Sequence, residues 1–169
     1  MDNRSETEGG GLACIEGSTP TIVNCNFTSN EAGRYGGAVY AAANSHPTIT
    51  YTVFHQNASN NGKGGAIYSR NNQPMISFCQ FTENTAPLEG GAIYLRDTTA
   101  IVSPDNTFTD NRGCGGSDIA TESDDGVTIN ASYNTFSGYA GSEYYVLPSE
   151  RFNLDGHVSS LTLIDADVY

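Results

Sequence analysis

Residues 64–94 read GGAIYSRNNQPMISFCQFTENTAPLEGGAIY, a stretch that begins and ends with the same five residues. The element Gly-Gly-Ala-Ile-Tyr also occurs, with one change, at residues 36–40, and weaker copies begin at Gly9 and Gly115. Between the two copies lies a second element, Phe-x-x-Asn, whose four phenylalanines are each 27 residues apart: Phe27, Phe54, Phe81 and Phe108. Self-similarity at a fixed period is the signature of a stacked repeat, so the sequence predicts a solenoid.

Each repeat contains three short stretches of β-forming residues. In one repeat these are residues 21–23, 25–27 and 38–40, and Gly, Asn, Ser and Pro separate them. Apolar residues never follow a helical spacing over ten positions. Three strands and three turns in about 27 residues make one coil of a solenoid. The predicted fold class is therefore all-β, a right-handed parallel β-helix of about five coils.

Alignment of the repeats assigns residues to columns that should lie above one another. Two aliphatic columns and one aromatic column are expected to fill the interior: Ile22, Ile49 and Ile76; Val39, Ile67 and Ile93; and Phe27, Phe54, Phe81 and Phe108. A fourth column is formed by Asn30, Asn57, Asn84 and Asn111. We expect this column at a turn, because Asn tolerates the left-handed conformation and its amide bonds to the copies above and below. The segments that follow it vary in length and are expected to be loops.

The repeats divide the chain into three parts. Residues 1–8 are polar and are expected to be disordered, residues 9–138 form the β-helix, and residues 139–169 are expected to be a cap or an irregular final coil. The N-terminal residues have no apolar stretch and are not expected to be a signal peptide. No run of about 18 apolar residues exists, so no insertion into a membrane is predicted.

The charge balance bears on possible partners. The chain has 7 Lys and Arg against 19 Asp and Glu, which gives a net charge of −12. Such a chain repels nucleic acid and anionic membranes, so nucleic acid is not an expected partner.

Four cysteines are present, at Cys14, Cys25, Cys79 and Cys114. Cys25 and Cys79 share one column but lie two coils apart, about 9.5 Å, which exceeds the roughly 7 Å between Cα atoms that a disulfide spans. We expect both to be buried free thiols. Cys14 and Cys114 lie four coils apart and should not pair either, and the spacing fits no zinc motif.

Three tyrosines, Tyr40, Tyr68 and Tyr94, alternate with the aliphatic column and are expected to face outward. An exposed aromatic ladder suits stacking of sugars or contact with a protein. It suits plain stabilisation between neighbouring strands equally well.

Two arginines, Arg70 and Arg96, hold the same position in adjacent repeats, and Glu89 and Asp97 are close in sequence. Stacked Arg side chains could hold the carboxylate of a uronate sugar, and clustered Asp or Glu serve acid–base cleavage of polysaccharides. The favoured interpretation is solvated charges that pair locally, and no catalytic residue is predicted.

Further acidic residues cluster at Asp97, Asp105, Asp110, Asp118, Glu122, Asp124 and Asp125. Oxygen-rich loops of this kind bind Ca²⁺. A solvated acidic surface is the favoured interpretation, so no cofactor is expected, and calcium is the alternative.

The pairing of Gly-Gly-Ala-Ile with Phe-x-x-Asn over residues 9–138 resembles the repeats of chlamydial polymorphic outer membrane proteins. The resemblance implies the β-helical part of a surface adhesin, located outside the cell or on its surface, with a protein or glycan on a cell surface as its partner. The leading hypothesis is a non-catalytic surface or secreted module that serves adhesion or acts as a spacer. The alternative is a lyase-like or hydrolase-like enzyme, or a glycan-binding module, for acidic polysaccharide.

Overall fold

The computed structural model describes residues 2–102, 104–123, 128–131, 133–137, 144–146, 151–153, 162–163 and 167–168. Within these residues every regular element is a β-strand, and each strand pairs in parallel with strands of neighbouring repeats. The predicted all-β parallel β-helix is confirmed. In the same residues there is no helix long and apolar enough to cross a membrane.

The strands form four parallel sheets, which we number in the order in which each coil passes through them. Sheet 1 contains β1 (Arg4–Ser5), β5 (Glu31–Ala32), β9 (Ala58–Ser59), β13 (Thr85–Glu89) and β17 (Arg112–Gly115). Sheet 2 contains β2 (Leu12–Cys14), β6 (Val39–Ala41), β10 (Ile67–Arg70), β14 (Ile93–Arg96), β18 (Ile119–Glu122), β21 (Tyr144–Val146) and β23 (Thr162–Leu163). Sheet 3 contains β3 (Thr21–Val23), β7 (Thr48–Thr50), β11 (Met75–Ser77), β15 (Ala100–Val102), β19 (Thr128–Asn130), β22 (Arg151–Asn153) and β24 (Asp167–Val168). Sheet 4 contains β4 (Asn26–Thr28), β8 (Val53–His55), β12 (Gln80–Thr82), β16 (Thr107–Thr109) and β20 (Thr135–Ser137).

Each of the five coils therefore has four strands, not the three that the sequence predicted. The additional strands are those of sheet 1, and apart from β1 they lie in the segments that were expected to be variable loops. They follow the asparagine column directly, and backbone bonds continue from it: Ala58 N–H donates to Asn30 O, and Thr85 N–H donates to Asn57 O, each at 2.9 Å. The asparagine column holds neighbouring coils at a fixed spacing. The residues that follow it therefore form backbone hydrogen bonds with the next coil whatever their side chains are.

The interior columns are confirmed. Ile22, Ile49 and Ile76 are buried in one row, and the other aliphatic residues line the opposite side. The phenylalanine rings stack through all five coils, with successive centroids 5.2, 4.8, 4.8 and 4.8 Å apart, and Phe136 completes the column. Complete burial of one such side chain contributes about 2 kcal/mol, so these columns supply much of the stabilisation.

The paired glycines form the corner between sheets 1 and 2. Gly64 has a φ of 69°, in the left-handed region. A Cβ on Gly65 would lie 2.1 Å from the carbonyl oxygen of Gly91 in the next coil. The corner therefore requires glycine at both positions, one for backbone conformation and one for close approach of the coils.

The asparagine column forms the expected hydrogen-bonded ladder, but the expectation that Asn itself adopts the left-handed conformation there is wrong. The left-handed residues are those directly before the column: Ser29, Gln56, Glu83 and Asp110. The Nδ2 of Asn30 donates to Oδ1 of Asn57 at 2.9 Å, and the next two steps are each 3.0 Å. The ladder ends on a carboxylate, because Asn111 Nδ2 donates to Asp118 Oδ1 at 2.8 Å. These buried amides are satisfied by each other and by the backbone.

The N-terminal segment differs from its expectation. Residues 1–8 were expected to be disordered, but β1 pairs with β5, and Asn3 Nδ2 donates to Asn30 Oδ1 at 2.9 Å. Asn3 therefore extends the ladder by one step. Of residues 139–169, the described part consists of β21 to β24, which extend sheets 2 and 3, and the remainder lies outside the described residues.

The cysteines are all free thiols, as expected. Cys79 is buried, but the prediction that Cys25 is buried is wrong. Cys25 lies between β3 and β4, which are the outermost strands of sheets 3 and 4, so no described coil covers it.

Candidate functional site

The three tyrosines of the repeats form a column on the outer side of sheet 2. Tyr40, Tyr68 and Tyr94 pair in register, and their rings stack with centroids 5.5 and 5.4 Å apart. They lie apart from the interior core, as their alternation predicted. However, Tyr68 and Tyr94 are buried and Tyr40 is half-buried, so the expected exposed ladder is not present.

A second column covers these rings. It consists of the residues directly before each glycine corner, among them Tyr35, Lys63 and Glu89. The Tyr35 ring lies 4.5 Å from that of Tyr68, and Lys63 Nζ lies 4.3 Å from the centre of the Tyr94 ring. The tyrosines thus fill a gap between the covering column and sheet 2.

A compact group of polar and charged side chains closes this gap at the end nearer the C-terminal coils. The ammonium of Lys63 contacts Glu89 at 2.6 Å and Glu122 at 2.9 Å, and it donates to the Tyr94 hydroxyl at 2.6 Å. The Tyr94 hydroxyl in turn donates to Glu122. Arg96 Nη2 lies 3.9 Å from the other oxygen of Glu122. We call Lys63, Glu89, Tyr94, Arg96 and Glu122 the charge cluster.

The environment shifts the pKa values within the cluster. Burial alone would lower the pKa of Lys63, but hydrogen bonds to Glu89 and Glu122 outweigh it, and the pKa is raised. Burial would raise the pKa of Glu122, but hydrogen bonds from Tyr94 and Lys63 hold it below its usual value. Burial, and then the bond to Glu122, raises the pKa of Tyr94. Near neutral pH the cluster therefore contains an ammonium, an ionised Glu122 and a neutral phenol.

The neighbouring tyrosines share this environment. Burial raises the pKa of Tyr68 to about 12, and the charges of Arg96 and Arg70 reduce that effect. Burial, then the charge of Glu8, raises the pKa of Tyr40. Both phenols are therefore neutral at physiological pH.

The charged residues named from the sequence are brought together in part. Glu89 and Arg96 belong to the charge cluster, and Asp97 Oδ2 lies 3.4 Å from Arg96 Nε. Arg70 pairs in register with Arg96 but is exposed, and it makes no ion pair with any described residue. Lys63 was missed, and Glu122 was named only in the acidic group that suggested calcium. Glu122 aligns with Arg96, so the weak repeat copy at Gly115 carried a signal that could have located it.

The acidic side chains named from the sequence are the candidates for binding a metal ion. Among the described residues, no group of three or more His, Cys, Asp or Glu side chains is placed to hold a metal ion. Asp118, which was part of the calcium alternative, is buried at the end of the asparagine ladder. Asp124 and Asp125 lie outside the described residues.

Four parallel sheets wound into coils define a β-solenoid. A family model for the right-handed β-helix region matches residues 9–150, and the protein belongs to this family. No curated protein and no solved structure matches the chain in two further comparisons. The resemblance to chlamydial repeats is thus supported at the level of the β-helix.

Proposed function

We propose that this protein is a non-catalytic β-helix module of a cell surface or of the secreted space, which serves adhesion or acts as a spacer. The observation that carries the proposal is the charge cluster. Lys63 lies between two carboxylates, and Glu122 is engaged by Lys63, Tyr94 and Arg96. Groups that satisfy one another in this way fix the covering column to sheet 2 and have little capacity left for a substrate.

The pKa shifts support a structural role for the cluster. General acid–base catalysis is most efficient when the pKa of the catalytic group is near the working pH. Here the pKa values of Lys63 and Tyr94 are raised and that of Glu122 is lowered, all away from neutrality. None of these three groups is suited to exchange a proton with a substrate near pH 7.

The alternative, an enzyme or binding module for acidic polysaccharide, has weaker support. A uronate carboxylate needs a cation that is not already neutralised. Lys63 contacts Glu89 and Glu122, and Arg96 lies beside Glu122 and Asp97. Of Lys63, Arg70 and Arg96, only Arg70 is exposed, on a chain whose net charge is −12.

The regular coils suit a protein that presents a surface. Five coils spaced about 4.8 Å apart make a straight unit roughly 24 Å long. Buried ladders of Asn and Phe run through it, so its outer side chains are held at fixed spacing.

The proposal is tested by two measurements on the full chain. Fluorescently labelled protein is titrated onto intact cells and onto surfaces coated with matrix proteins, and saturable binding is expected for an adhesive module. In parallel, the protein is incubated with uronate polymers, with and without Ca²⁺, and unsaturated products are measured by ultraviolet absorbance. Turnover that is present in the wild type and lost in Lys63→Met would overturn the non-catalytic assignment.

A further inference from the structure

A row of five residues lies at the corner between sheets 3 and 4, with one residue in each coil. It consists of Asn24, Tyr51, Phe78, Asp105 and Tyr133. Every member has a φ between 51° and 57°. We call these residues the corner row.

The aromatic members of the corner row are unfavourable for the fold itself. A left-handed backbone suits Asn and Asp, as at Asn24 and Asp105, and is disfavoured for bulky side chains. Tyr51, Phe78 and Tyr133 adopt it and also expose 57, 39 and 60% of their surface. The Tyr51 and Phe78 rings stack with centroids 4.9 Å apart and planes 12° from parallel. Strained and exposed aromatic residues point to a role outside folding.

The corner row is part of a larger apolar patch. On sheet 3 beside it, Val23, Met75 and Ile101 are exposed, and Met75 pairs with Ile101 in adjacent strands. Apart from Ile15 and Leu88, all large exposed apolar side chains of the described chain belong to the corner row or to sheet 3. Concentration on one side is typical of an interaction surface.

The polar groups of this surface carry little charge. Among the described strands of sheets 3 and 4, Arg151 is the one Lys or Arg, and it lies in β22, which follows the five coils of the row. Within the row, the amide of Asn24 and the carboxylate of Asp105 accompany the rings, and the hydroxyls of Thr50 and Ser77 directly precede Tyr51 and Phe78. Aromatic rings next to amide, hydroxyl and carboxylate groups match the C–H and O–H groups of a sugar. The described strands of the five coils beside the row contain no Lys or Arg, and on a chain of net charge −12 this disfavours an acidic ligand.

We propose that the corner row binds a neutral oligosaccharide that lies along the axis of the β-helix. This inference rests on the proposed function as a binding module and names its ligand. The row is straight and spans four coil steps, about 19 Å, so a linear polymer meets each side chain in turn. Longer oligosaccharides therefore bind more tightly until they cover the row.

The first experiment measures binding by the full chain. Native electrophoresis is run in gels that contain soluble glucans, xylans, mannans or galactans, with polygalacturonate and alginate as acidic controls. At least one neutral polymer is expected to retard the protein, and the acidic polymers are not. Calorimetry with oligosaccharides of increasing length, prepared from the polymer that binds, is expected to show affinity that rises with length and then levels off.

The second experiment assigns the site. The double variant Tyr51→Asn with Phe78→Asn carries the residue type that the first coil already has at this position, and so it preserves the left-handed corner. It is expected to weaken binding at least tenfold. The control Leu88→Asn removes an equally exposed apolar side chain from sheet 1 and is expected to change affinity less than twofold. Circular dichroism confirms that both variants fold.

Three results would overturn the inference: no retardation of the wild type by any neutral polymer, unchanged affinity in the double variant, or equal retardation by the acidic polymers. These results are separate from the test of adhesion. Binding to cells that persists in the double variant would locate the adhesive surface elsewhere, including on a protein-binding face. In that case the adhesion proposal stands, and the saccharide proposal is decided by the three results above.

Discussion

The side chain of Asn84 accepts two hydrogen bonds from Asn57, one from its backbone N–H and one from its Nδ2, each at 3.0 Å. The Nδ2 of Asn84 donates in turn to the carbonyl oxygen of Phe54 at 2.9 Å and to Oδ1 of Asn111 at 3.0 Å. All four bonds are made in the interior, since Asn84 is completely buried. A single side chain thus joins three successive coils at a point that water does not reach.

Substitution Asn84→Ala should therefore be strongly destabilising. It leaves the backbone N–H of Asn57 and the carbonyl of Phe54 without these partners, and an unsatisfied buried group costs about 1–3 kcal/mol. We expect a loss of about 3 kcal/mol in the free energy of unfolding, measured by urea denaturation. The control Asn60→Ala, at an exposed position in the same coil, should change it by less than about 0.5 kcal/mol. Equal effects of the two substitutions would contradict the role of the ladder.

Substitution of two phenylalanines three positions apart, Phe78 and Phe81, should change stability to very different extents. Phe81 is completely buried between Phe54 and Phe108, so Phe81→Ala should cost about 3–5 kcal/mol. Phe78→Asn should change stability by less than about 1 kcal/mol, because relief of the left-handed strain offsets the lost stacking on Tyr51. Both are measured by urea denaturation at neutral pH. A loss at Phe78 as large as that at Phe81 would show that the corner row is needed for folding.

Acid should weaken the protein through Glu122. Its pKa is lower in the folded chain than its ordinary value of 4.5, so the folded state binds this proton less tightly than the unfolded state does. The resulting stabilisation is present above about pH 4.5 and is lost as the pH falls through the folded-state pKa. We expect the stability difference between wild type and Glu122→Gln, measured by urea midpoints from pH 7 to pH 3, to shrink in the acid range. A difference that stays constant down to pH 3 would show that Glu122 does not titrate with a lowered pKa.

The thiols should divide into two classes. Cys25 and Cys114 are exposed, while Cys14 and Cys79 are buried, and burial raises the pKa of Cys14 and takes that of Cys79 to about 11. Since the thiolate is the reactive form, an aromatic disulfide reagent should label the two exposed cysteines rapidly and the two buried ones only in denaturant. Cys25→Ser should remove one rapidly reacting group. Rapid labelling of all four in native buffer would contradict the packing.

The interior was predictable because each column requires the same kind of side chain at the same position in every coil. A strand that alternates inward and outward places Ile22, Ile49 and Ile76 on one side wherever the period is kept. The same holds for the phenylalanines and for the asparagine ladder, in which like residues must touch like residues. A period of 27 residues was thus sufficient to assign the core before any contact was known.

The outer surface was less predictable, because its residues change from coil to coil. The fourth strand of each coil, in sheet 1, depends on backbone pairing, and no pattern of side chains in the sequence indicates it. The charge cluster joins Lys63 to Glu122, which are 59 residues apart and belong to different columns. The corner row contains Asn, Tyr, Phe and Asp, so it shows no chemical repeat, and only the shared backbone conformation identifies it. The burial of Tyr68 and Tyr94 likewise depends on the covering column, which the repeat alignment did not place.

The uniform spacing of the ladder bonds also has a kinetic consequence. Each side-chain bond of the asparagine ladder joins residues 27 positions apart, so each new coil closes a loop of the same length. When the first two coils pair, the chain loses the entropy of closing the loop and gains few contacts. Every later coil pairs with strands that are already formed. The rate of folding should therefore depend on the strength of one coil-to-coil interface and only weakly on how many coils follow it.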